Sequence, residues 1–208
     1  MIKKIIDKNQ KRERILRFAM KIFADRGFQN FKMSEISAAA KIGKGTLYEY
    51  FDNKTELISG CLDLFMMDLD KHLQKCLIKT CSPAEKIHDL VKTTFDFFYK
   101  KPERLNLLFD IWTVSYRQNQ NDKEQFRGLE KFQNIKTQIA STIEEGIKIG
   151  DFKPVDSTTT ASILVALIDG LLFQLAIGLI KLNNKDISDK ISQTFLEGIK
   201  TQKIIPST

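Results

Sequence analysis

The chain has 208 residues, 42% hydrophobic and 28% charged, with three cysteines and a formal net charge of +7. This is the composition of an ordinary soluble globular protein, long enough to bury a core without staples. Three cysteines without C-x-x-C spacing argue against a disulfide framework or a zinc site.

The charge is unevenly spread. Residues 1–60 carry 13 Lys and Arg against 7 Asp and Glu, and the other 148 residues carry 20 against 19. A positive excess confined to the first third points to a polyanionic partner there, nucleic acid before membrane. The N-terminus, MIKKIIDKNQKRER, lacks the apolar run of a secretory signal, so a cytoplasmic location is expected.

The first predicted helix covers about 8–26, with Ile15, Phe18, Ala19, Ile22 and Phe23 on one apolar face and Gly27 as its stop. A short helix follows over about 34–40, with Ser34 as its expected N-cap. After Lys41-Ile42-Gly43 comes a second short helix, about 44–50. Asp52 and Asn53 offer caps for a long helix from Lys54, in which Leu57, Cys61, Leu64, Phe65, Leu69, Leu73 and Cys76 keep helical spacing.

Ser82-Pro83-Ala84-Glu85 is a capping box with proline at the first helical position, starting a helix over about 83–100. Lys101-Pro102 interrupts the chain before a helix ending near Arg117. The polar loop Gln118 to Lys123 precedes a helix over about 124–149, stopped by Gly150. Asp156 caps an apolar helix over about 157–181. A last amphipathic helix begins at Asp186 or Ser188. Residues 161–180 are long enough to span a membrane, but Asp169, Gly170 and Gln174 interrupt them. A central Asp costs about 2.5–3.5 kcal/mol on insertion, so a buried or helix-pairing role is expected and no membrane partner.

The stretch MSEISAAAKIGKGTLYEYFDNKTEL, residues 33–57, carries the functional signal. Two helices of about two turns are unstable alone and must share a core with the first helix. Ile36, Ala40, Ile42, Leu47 and Phe51 can supply it. The second short helix then presents Lys44, Gly45, Thr46 and Tyr48 outward, a basic, hydroxyl-bearing helix start suited to a major groove.

This stretch resembles the helix-turn-helix signature of the TetR family of repressors, AcrR-like members included. The residues that fit are Ile36, Ala40, Ile42, Gly45, Thr46, Leu47, Tyr48, Phe51, Lys54 and Leu57, preceded by Ile15, Ala19, Phe23, Gly27 and Phe28. The resemblance implies DNA contacts by Ser34, Lys44, Gly45, Thr46, Tyr48, Tyr50 and Lys54; Lys32 joins them for its charge and position. Lys41 stands where the family usually has Gly, Ser37 where it has Ala, and Gly43 where it has a hydroxyl cap. Lys41 is strained by about 1 kcal/mol if the turn needs positive φ.

The fold implied is all-α, about nine helices. Residues 1–53 form a three-helix DNA-binding domain, and residues 54–208 a larger helical ligand-binding and dimerisation domain. Leu164, Leu167, Leu171 and Leu175, with Ile191 and Phe195, are the expected homodimer interface. Phe95, Phe98, Phe109, Trp112 and Tyr116 are the expected lining of a pocket for an apolar or aromatic effector. His72 and His88 lack an acid or nucleophile arrangement, and no catalytic group, metal site or cofactor is expected. The function implied is a ligand-released repressor that binds a palindromic operator in double-stranded DNA. An activator or DNA-organising protein of the same fold is the alternative, and a helical enzyme or carrier is a more remote one.

Overall fold

The computed structural model describes residues 2–28, 31–119, 127–180 and 184–201. Nine α-helices occur among them: α1 (Ile2–Arg26), α2 (Met33–Ala39), α3 (Lys44–Tyr48), α4 (Lys54–Leu77), α5 (Pro83–Tyr99), α6 (Glu103–Asn119), α7 (Arg127–Lys148), α8 (Ser157–Ala176) and α9 (Asn184–Ile199). The expected all-helical architecture is present. The chain divides into two compact units that are not contiguous in sequence. The first is Met1–Asp68 with Pro102–Glu130, and the second is Leu69–Lys101 with Lys131–Thr208. Helix α4 contributes its first fifteen residues to one unit and the remainder to the other.

In the first unit the core is built on α1, whose Ile15, Ala19 and Phe23 are almost wholly buried. Phe28 and Phe31 meet Phe23 edge-on, with ring centres 4.8 and 4.7 Å away. Such edge contacts suit the quadrupoles of the rings. Ile36, Leu47, Phe51, Leu57 and Phe65 complete the core. At Gly60 an added Cβ would come within 2.9 Å of Leu16 Cδ2, so the missing side chain lets α4 lie close on α1. Helix α6 holds the far end of α1: Asn106 Nδ2 donates to the Ala24 carbonyl at 2.9 Å, and the Phe28 amide donates to the Asp110 carboxylate.

The second unit is organised around α5, which packs against α9. Ile87, Leu90, Val91 and Phe95 of α5 are buried, as are Ile187, Ile191 and Phe195 of α9. Ser82 caps α5 as its sequence predicts: its hydroxyl accepts from the Glu85 amide at 3.3 Å, and Glu85 accepts from the Ser82 amide at 2.9 Å. The Ser82 amide and hydroxyl, both donating to the Glu85 carboxylate, hold that carboxyl below its usual range. Asp156 likewise caps α8, accepting from the Thr159 amide at 2.7 Å. Gly146 of α7 has the Phe152 ring lying on it; a Cβ there would sit 2.2 Å from a ring carbon. Phe152 and Lys200 form an antiparallel bridge, with the Lys153 amide donating to Ile199 at 2.8 Å.

Several helix ends differ from the sequence expectation. Helix α1 starts at Ile2, a turn and a half before the predicted start near residue 8. Helix α2 is capped at Lys32, not Ser34, because the Glu35 carboxylate accepts the Lys32 amide at 2.8 Å. Helix α3 ends at Tyr48 and not Tyr50. Helix α8 ends at Ala176, short of the apolar run, because Gly178 turns left-handed with φ 72°.

Candidate nucleic-acid interface

The α2–turn–α3 segment is fixed from inside and open on the outside. Helix α2 closes with the Lys41 amide donating to Ala38 at 3.1 Å and the Ile42 amide to Ser37 at 3.0 Å. This is a Schellman closure, which puts the residue after the C-cap in the left-handed region. Lys41 occupies that position with φ 54°, and it alone among the described non-glycine residues has positive φ. The strain foreseen for a lysine there is therefore present. Arg14 Nη2 on α1 donates to the preceding Ala40 carbonyl at 3.3 Å, tying the turn down.

Gly43 is the N-cap of α3 and brings no side-chain hydrogen bond. Leu47 is fully buried and anchors the helix, and Phe51 is fully buried just beyond it. The Arg12 guanidinium lies 4.8 Å from the Phe51 ring centre. Asn53 then caps α4, accepting from the Glu56 amide at 2.9 Å, while Glu56 accepts from the Asp52 amide at 2.7 Å.

With those anchors inward, Lys44, Gly45 and Tyr48 of α3 are exposed, and Thr46 is half-buried. A Cβ at Gly45 would meet no atom within 4 Å. Glycine in a helix costs about 1 kcal/mol relative to alanine, and nothing inside the chain requires it here. The bare backbone there is open to solvent. Lys32 and Ser34 of the α2 start are exposed, and Tyr50 is half-buried. Lys54 Nζ donates to the Phe31 carbonyl at 2.7 Å and lies 4.8 Å from that ring's centre. This leaves two of its three N–H groups for another acceptor. Such a surface can bind a polyanion: an exposed helix start, the hydroxyls of Ser34, Thr46, Tyr48 and Tyr50, and the ammonium groups of Lys32, Lys44 and Lys54.

Sequence reasoning missed Arg14, which ties down the α2–α3 turn, Asn106 and Asp110, which hold the end of α1, and also Lys8 and Lys11. The last two lie 6.0 and 5.8 Å from the Tyr50 ring centre; their three-residue spacing on α1 was the available signal.

The other expected sites fall as follows. Phe95 and Phe98 are buried on α5, and Phe109 is half-buried on α6. The side chains of Trp112 and Tyr116 lie outside the described residues. On α8, Leu164 is buried, Leu171 and Leu175 are half-buried, and Leu167 is 43% exposed. Ile191 and Phe195 are already buried within the single chain. The open stripe of α8 is thus Ile163, Ala166, Leu167, Gly170 and Phe173. His88 does have an acid neighbour, Asp189, with Nε2 to Oδ1 at 3.2 Å, and His72 meets the Phe97 ring edge-on at 5.2 Å.

Residues 15–61 match the family described as bacterial regulatory proteins, tetR family. The HTH-type transcriptional regulator YhgD of Bacillus subtilis is 27% identical over 164 residues, covering 76% of this chain and 81% of that protein. The HTH-type transcriptional repressor KstR2 of Mycolicibacterium smegmatis is 26% identical over 151 residues, covering 69% and 68%. Other curated regulators match over only about half of their own length. Among solved structures, a transcriptional regulator from Saccharomonospora viridis in complex with choline superposes with a TM-score of 0.81 at 22% identity, covering 93% of this chain and all of that one.

Proposed function

The chain belongs to the tetR family of bacterial regulatory proteins, a transcriptional regulator and not an enzyme, and from that premise we propose that it is a cytoplasmic, ligand-released repressor binding a palindromic operator as a homodimer. One observation carries the proposal: Lys44, Gly45 and Tyr48 stand outward on a five-residue helix whose Leu47 is wholly buried. Residues 1–53 are the proposed DNA-binding domain and residues 54–208 the ligand-binding and dimerisation domain.

On this reading α3 enters the major groove. Lys44, Gly45, Thr46 and Tyr48 meet its floor and rim, while Lys32, Ser34, Tyr50 and Lys54 meet phosphates. One five-residue helix makes few contacts, so two copies reading half-sites about 34 Å apart, or a multiple of that, are required for affinity. The open apolar stripe of α8 supports pairing between copies. Leu167, Leu171 and Leu175 remain the proposed contacts there, flanked by Ile163 and Phe173.

An apolar or aromatic effector is supported by the aromatic residues of α5 and α6. The name of KstR2 as a repressor and the choline held by the Saccharomonospora viridis regulator support release by a small molecule. Effector binding would tilt α4, change the spacing of the two α3 helices and shift the population from the DNA-competent state.

Footprinting on the region upstream of the protein's own gene tests this. A short symmetric footprint overlapping the promoter is expected, weakening steeply with salt. Protection upstream of the promoter with increased transcription would make it an activator. Uniform coating of any duplex would overturn the operator reading.

A further inference from the structure

The cations of α1 differ in their partners. Lys21 lies over the Phe18 ring of its own helix at 5.6 Å, and the arginines are engaged. Arg12 Nη2 is 3.9 Å from Glu56, Arg17 pairs with Glu13 at 2.7 Å and with Asp68 at 3.0 Å, and Arg26 is 3.4 Å from Glu35. Arg14 donates to the Ala40 carbonyl. Lys8 and Lys11 differ. Both are exposed, and neither has a carboxylate within ion-pair distance among the described residues. Both ammonium groups converge on the Tyr50 ring, at 6.0 and 5.8 Å from its centre.

At that range an exposed cation–aromatic contact contributes about 0.5–1 kcal/mol at most. Two like charges one helical turn apart lose a few tenths of a kcal/mol to repulsion. The fold therefore gains little from the arrangement, and a phosphate entering it would remove the repulsion. Tyr50 also brings a phenolic O–H, which donates to such an oxygen.

The position fits a duplex. Tyr50 follows α3 by two residues, so the cluster stands beyond the C-terminal end of the reading helix, opposite the end that carries Lys44. Five helical residues span about 7 Å, and the major groove is about 12 Å wide. Groups just past either end of α3 thus face the strands bordering the groove.

We propose that Lys8, Lys11 and Tyr50 form a phosphodiester-binding site on α1 that grips the DNA backbone beside the groove read by α3. This site rests on the DNA-binding reading above. Its contribution is affinity and register; it reads no base.

The test is a salt titration on a duplex that the wild-type chain selects from a random-sequence pool. Each phosphate contact adds about 0.9 to the slope of log affinity against log salt. The double variant Lys8→Gln/Lys11→Gln is expected to lower the slope by about 1.8, and affinity at 0.1 M salt by roughly 60-fold. Preference for the selected duplex over a scrambled one should stay as in wild type. Lys8→Arg/Lys11→Arg should keep the wild-type slope. Lys21→Gln, which removes an exposed α1 charge placed over Phe18, should also leave the slope alone. An unchanged slope in the double variant overturns the site, as does an equal drop in Lys21→Gln, which would mark diffuse net charge. Loss of sequence preference would overturn the claim that the site reads no base. A wild-type chain that selects no duplex overturns the DNA-binding reading itself, and this site with it.

Discussion

Two outward faces of this protein are built alike and differ in chemistry. Helix α3 buries Leu47 and turns Lys44, Gly45 and Tyr48 to solvent. Helix α8 buries Ala161, Leu164, Ile168 and Leu172 and turns Ile163, Leu167 and Phe173 to solvent. The first face is cationic and hydroxyl-bearing, which suits a charged partner held with an affinity that would fall with salt. The second is apolar, which suits another apolar surface held with an affinity that would depend on buried area. In both, the buried stripe fixes the helix while the other stripe faces outward.

That comparison can be broken first on α8. Leu167→Glu sets a carboxylate in the open stripe, and an unpaired charge taken into an apolar interface costs about 3–5 kcal/mol. Self-association measured by sedimentation should weaken at least about 100-fold. An unchanged dimer constant would move the pairing surface elsewhere. On α3, Tyr48→Ala should weaken binding to the selected duplex by about 1–3 kcal/mol and leave self-association as it was. If both constants fell together, the two faces would not be separable.

A third measurement sharpens the picture of α8 itself. Asp169 lies beside the open stripe, and burial pushes its carboxyl up to about 6 from 3.8. The folded chain then holds a proton that the unfolded chain releases. Stability from this group is full below pH 4 and drains as pH rises to about 6. Asp169→Asn should raise unfolding stability at pH 7 by up to about 3 kcal/mol, an advantage that vanishes below pH 4; a constant difference at all pH values would refute the cause.

The smallest effect is at the α2–α3 turn. The same Schellman bonds close α7 and α8, where Gly150 and Gly178 supply φ 80° and 72°. Helix α2 uses Lys41 at φ 54° instead. Lys41→Gly should raise stability by about 1 kcal/mol, read from chemical denaturation; a loss would mean that the lysine side chain stabilises the turn.

Helix starts that use a side-chain acceptor were legible, as at Ser82 and Asp156. The α2 start was not, because Lys32 contributes only its backbone and the capping carboxylate reaches back from Glu35. The end of α8 was hidden by an apolar run that continues past Gly178. Periodicity assigned Leu164 and Leu167 to the same helix. It could not say which stripe the chain keeps for itself, since both are leucine-rich, and the packing of α9 on α5 likewise removes Ile191 and Phe195 from any outer surface. Which residues of α3 face inward and which outward was the most legible part, because the two sets differ in kind.

A five-residue helix has no stability of its own. α3 therefore exists only while α1, α2 and the start of α4 are assembled around Leu47, and melting that small core dissolves the tool along with its handle. Warming should abolish operator recognition at the temperature where the N-terminal unit melts, which makes the regulator a reporter of its own integrity.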